Sequence, residues 1–71
     1  MSDFVLATRV RAALAQDPMT NNLEVDVTSR AGQVTIKGEF CEQNEEIQRV
    51  AAAVPNVATV SLEELALAKA D

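Results

Sequence analysis

Residues 23–38, L-E-V-D-V-T-S-R-A-G-Q-V-T-I-K-G, decide the fold. Leu23, Val25 and Val27 alternate with Glu24, Asp26 and Thr28, and the same period of two resumes at Val34 and Ile36 and runs past Gly38 to Phe40. Successive side chains of a strand point to opposite faces, so each run carries one apolar and one polar face. The five residues between them, 29–33, contain Gly32, and two alternating runs joined through such a segment predict a β-hairpin. Gly32 is expected at positive φ, which glycine adopts without steric cost.

Upstream, the period changes to that of a helix. Leu6, Val10 and Leu14 recur every four residues, flanked by Ala7 and Ala13, which predicts a helix over about 3–16. Ser2 or Asp3 can accept the free N–H groups at its start. Pro18 ends it, because the residue before a proline is pushed out of the α region, and Thr20, Asn21 and Asn22 read as a polar loop. Downstream, Ile47, Val50, Ala51 and Val54 form the stripe of a second helix over about 42–54, with Glu42, Glu45 and Glu46 where the helix dipole favours negative charge. Pro55 and Asn56 stop it, and Asn tolerates the left-handed conformation common beyond a helix end. A last strand over 57–63 points Val60 and Leu62 inward. Strand, helix and strand in this order imply a right-handed crossover between parallel strands.

The expectation is therefore an α+β domain of αββαβ order: a two-layer sandwich in which two helices cover one face of a three-stranded mixed sheet. Residues 1–71 form one domain, with its core over 3–63 and a weakly patterned tail over 64–71. A chain of 71 residues buries roughly 60% of its unfolded surface, so any function sits on the outside of a thin structure. The expected core comprises Leu6, Val10, Leu14, Val25, Val27, Val34, Ile36, Ile47, Val50, Val54, Val60 and Leu62. The opposite sheet face holds Glu24, Asp26, Thr28, Thr35, Lys37, Glu39, Thr59, Ser61 and Glu63, and is expected to meet water.

Several chemistries are absent. The chain has no histidine, which removes the usual general base, metal ligand and pH switch. Glu45-Glu46 and Glu63-Glu64 are adjacent in sequence, so neither pair faces itself on a helix or strand. Cys41 is alone, which leaves no internal disulfide and no cysteine cluster for zinc; it reads as a buried or helix-start residue. Gly32 and Gly38 fit no phosphate-binding loop. These absences point to a binding module with no cofactor and no metal. A formal charge of −5, the lack of a G-x-x-G clamp and the lack of exposed aromatics all argue against nucleic acid. The first residues show no basic segment followed by an apolar one, so the chain reads as cytoplasmic or as a domain of a longer protein.

One surface is a candidate for binding. Opposite the buried stripe of the first helix lie Val5, Thr8, Ala12 and Ala15, with Phe4 and Arg11 beside them. Their three-four-three spacing is that of a helix packing on a second surface. The same residues also read as ordinary helix formers, with Phe4 folded under to plug the end of the core.

At the hairpin and the second helix the chain resembles the BON domain family. The likeness rests on R-V-R-A-A-L at 9–14, L-E-V-D-V at 23–27, G-Q-V-T-I-K-G at 32–38 and A-A-A-V-P-N-V-A-T-V at 51–60. Its most specific part is the G-x-V-T-[LI]-x-G pattern. Asn56 stands where the family usually has glycine, and Phe40 where it usually has valine. The resemblance implies the αββαβ fold, no catalytic residues, and attachment to phospholipid or other envelope components. Three kinds of partner follow as expectations: a protein or a second copy of the chain, a phospholipid surface, or a small molecule in a groove between helix and sheet edge.

Overall fold

The computed structural model describes residues 2–40 and 42–64. Five elements follow one another: α1 (Asp3–Gln16), β1 (Val25–Arg30), β2 (Gln33–Gly38), α2 (Asn44–Ala52) and β3 (Thr59–Glu64). The sheet order is β1-β2-β3, with β1 antiparallel and β3 parallel to the central β2. This is the expected α+β arrangement of two helices on a three-stranded mixed sheet. Cys41 and the tail beyond Glu64 lie outside the described residues.

The hairpin is tighter than the pattern suggests. β1 continues through Ser29 and Arg30, and Arg30 pairs with Gln33. The turn is thus Ala31-Gly32 alone, in place of the five residues expected. Both have positive φ, 52° and 85°, as a type I′ turn requires. Gly32 behaves as expected, while Ala31 takes a conformation that costs a residue with a Cβ some strain. Two contacts hold the turn. The Ala31 N–H donates to Asp3 Oδ1 across 3.0 Å, and the Gly32 carbonyl accepts from the N–H of Ala58 at 2.8 Å and of Thr59 at 3.3 Å. The start of α1, the hairpin turn and the loop before β3 therefore meet at one end of the molecule. Asn56 has the expected left-handed conformation, φ 76°, in that same loop.

Ser2 caps α1, accepting the Val5 N–H at 3.1 Å, which frees Asp3 for the turn. Replacing Asp3 with Ala removes the acceptor of a long-range hydrogen bond and a charge at a helix start. The expected loss is about 1 kcal/mol, or roughly 4–8 °C in Tm for a domain of this size. Asp3→Asn keeps an acceptor and should recover much of it. Equal midpoints for Asp3→Ala and the parent in thermal unfolding would contradict this role.

At its other end, α1 is closed by a residue that reads as plain loop. Thr20 is buried, and its hydroxyl donates to the Leu14 carbonyl across 2.6 Å. Asp17 is extended, as a residue before proline should be. The second helix is shorter than expected, because residues 42 and 43 form a turn before it and Ala53 ends it ahead of Pro55. β3 likewise starts two residues late, at Thr59.

The core lies between the helices and one sheet face. All twelve expected core residues belong to a single cluster. Leu6, Val10, Leu14, Val27, Val34, Ile36 and Ile47 are buried, and Val25, Val50, Val54, Val60 and Leu62 are half-buried against them. Ala7, Phe40 and Ala51 are also buried. Gly38 sits where β2 passes closest to the chain entering β1: a Cβ there would lie 2.8 Å from Val25 Cγ1 and 2.9 Å from the Glu24 carbonyl.

One electrostatic tie joins the helices. Arg49 Nε donates to Glu46 Oε1 at 3.1 Å, and its Nη2 lies 3.8 Å from Asp17 Oδ1. The Arg49 hydrogen bonds, with help from Asp17, hold the Glu46 carboxyl below its ordinary value of 4.5. A lowered folded-state pKa stabilises the fold above the unfolded value, and the gain is lost as pH falls through the folded one. The unfolding midpoint should therefore decline as the pH drops below about 4.5, and Glu46→Gln should flatten part of that decline. An identical acid profile for parent and variant would sink the assignment.

Candidate functional site

The outer side of α1 is exposed from end to end. Phe4, Val5, Thr8, Arg11, Ala12 and Ala15 are all solvent-accessible, so the helix brings the six candidate residues onto one surface. Phe4 does not plug the core. It is 79% exposed, and Val5 beside it is 39% exposed. They are two of the three large apolar side chains that the described residues leave exposed, the third being Met19 in the loop beyond the helix. The Thr8 hydroxyl donates to the Phe4 carbonyl at 2.9 Å, so its proton is used within the helix and is not offered to a partner.

Arg11 and Ala15 also form one wall of a groove between helix and sheet edge whose lining the sequence pattern does not reveal. It measures about 690 Å³ and runs between the second half of α1, the loop 20–23, the start of β1 and the end of β2. Leu14, Leu23 and Val25 supply apolar surface, and Glu24, Asp26 and Glu39 bring carboxylates to it. No strand covers the outer edge of β1 among the described residues.

The open sheet face is polar, as expected. Asp26, Lys37 and Glu63 form one row across the three strands, and Thr28, Thr35 and Ser61 form the next. Lys37 Nζ stands 3.7 Å from Glu63 Oε1, an exposed pair of small energetic worth. Because β1 runs on to Arg30, this face carries a second base that the shorter expected strand left out.

Charge is divided along the molecule. The end formed by the start of α1, the Ala31-Gly32 turn and the loop before β3 carries one acid among the described residues, Asp3, and its Oδ1 is bonded to the turn. The other described acids belong to the opposite half: the loop after α1, the start of β1, the end of β2, the approach to α2 with its first turn, and the end of β3. Arg9 and Arg30 are exposed in the acid-poor half.

No group of three or more His, Cys, Asp or Glu is placed to hold a metal ion among the described residues, and no helix there is long and apolar enough to cross a membrane. The fold is that of a small α+β domain with an exposed apolar helix start. A family model, the BON domain, matches residues 2–67. The chain belongs to the BON domain family, and that membership supports a binding role. No curated protein matches the chain.

Proposed function

We propose that this domain is a non-catalytic attachment module that holds a protein partner against the outer side of α1. The exposure of Phe4 carries this reading: in a domain whose core is otherwise mostly aliphatic, an aromatic side chain stands 79% in solvent at a helix start, beside Val5. Aromatic side chains are enriched at the centres of interfaces. Thr8, Ala12 and Ala15 on the following turns allow another backbone to approach closely. The absence of histidine supports a role without catalysis, and the one close carboxylate pair among the described residues that the ion pairs show, Asp17 and Glu46, is tied up by Arg49.

A second reading, a phospholipid surface, draws on the division of charge. An anionic membrane would repel the acidic half and turn the acid-poor end, with Phe4, Val5, Arg9 and Arg30, toward itself.

Val5→Glu and Ala12→Glu test both readings. Each should leave the thermal midpoint nearly unchanged, because the sites are at the surface, and each should abolish partner capture. Sedimentation with phosphatidylglycerol vesicles separates the readings: a lipid module binds them and loses binding in Val5→Glu, whereas a protein-binding module leaves them alone. Capture that survives both changes and disappears in Asp26→Lys would move the site to the sheet.

A further inference from the structure

We propose that the start of α1 docks into the groove of a second copy of this domain, so that copies associate head to tail. The inference rests on the reading of α1 as the attachment surface and names what it attaches to. Phe4, 79% exposed, and Val5, 39% exposed, form an apolar projection at the surface of the described residues. The groove, about 690 Å³, presents half-buried Leu23 and Val25 and would admit both side chains. The surroundings are complementary in charge. Exposed Arg9 and Arg30 accompany the projection, while Glu24, Asp26 and Glu39 stand at the groove. Of the groove's bases, Lys37 is already paired with Glu63, leaving Arg11 on the helix wall.

A molecule cannot fill its own groove. Projection and groove lie toward opposite ends of α1, whose 14 residues span about 21 Å at the helical rise of 1.5 Å per residue. The contact joins two different patches, and where each copy docks on a different neighbour it is of the heterologous type, which adds copies in series unless the rotation closes a ring. Arginines that meet carboxylates at its rim set orientation and make it sensitive to salt.

Complementation of two variants tests this. Phe4→Asp removes the projection and keeps the groove, whereas Glu24→Lys/Asp26→Lys reverses the groove and keeps the projection. All three positions are exposed, and unchanged circular dichroism melts establish that both variants fold. In sedimentation velocity across rising concentration, the parent should form growing oligomers, weakened ~10-fold or more in salt of about 1 M, where screening acts within roughly 3 Å. Each variant alone should stay monomeric. Their equimolar mixture should give dimers and stop there, since one member lacks a projection and the other a groove. A parent that remains monomeric, variants that associate as the parent does, or a mixture that stays monomeric would each overturn the proposal. A monomeric parent whose partner capture is still lost in Val5→Glu would overturn self-docking alone and leave the attachment surface standing.

Discussion

Ile47→Ala is expected to remove about 2–5 kcal/mol of stability, the range for deleting a fully buried isoleucine side chain. A chain of this length has roughly 4–10 kcal/mol in all, so the variant should be marginally folded. The site explains the size of the effect. Ile47 has no solvent exposure, and only Ile47 and Ala51 are fully buried on α2. A helix of nine residues does not persist alone in water, so it depends on this one large side chain to stay against the sheet. Urea unfolding measures the outcome: the midpoint should fall by about half with little change in slope. Val50→Ala on the same helix is half-buried and should cost clearly less. Equal losses at the two positions would contradict the burial described.

Gly38→Val should cost about 3 kcal/mol, at the upper end of the 1–3 kcal/mol typical of overpacking. A Cβ at Gly38 would come within 2.9 Å of the Glu24 carbonyl oxygen and 3.2 Å of Val25 Cα. Those are backbone atoms that cannot rotate aside, so β1 must shift at its first residues. Gly38, Glu24 and Val25 all line the groove, and the same change should alter its shape. Chemical denaturation gives the energy, and amide shifts at Glu24 and Val25 report the displacement. A variant as stable as the parent, with those amides unmoved, would show that the strands are not this close.

The elements that a reader of the sequence recovers are those set by local periodicity. The alternation around Val25 and Ile36 places the hairpin, and the four-residue spacing of Leu6, Val10 and Leu14 places α1 with its bounds. The rest depends on contacts between distant residues. The two-residue turn is held by Asp3 and Ala58, from 28 residues upstream and from the loop before β3, and neither partner leaves a mark near residue 31. Thr20 reads as loop because its burial comes from folding back on the Leu14 carbonyl, not from any stripe. The candidate residues on α1 were legible as a face, because helical geometry alone sets which residues share it. Whether Phe4 turned in or out was not, since both satisfy the same pattern. A groove between helix and sheet edge was expected, but its lining was not legible, as its walls come from three separate segments. The division of charge follows only once the topology puts the ends of β2 and β3 beside the start of β1.

The proposed attachment surface can be tested in place by photo-cross-linking. A photoreactive residue replaces Val5 on α1 in one variant and Ser61 on the open sheet face in another, and both are irradiated in the cells that make them. Mass spectrometry then identifies any adduct as protein or lipid. The expected result is a protein adduct from the Val5 position and none from Ser61. Adducts from Ser61 with none from Val5 would contradict an attachment surface on α1.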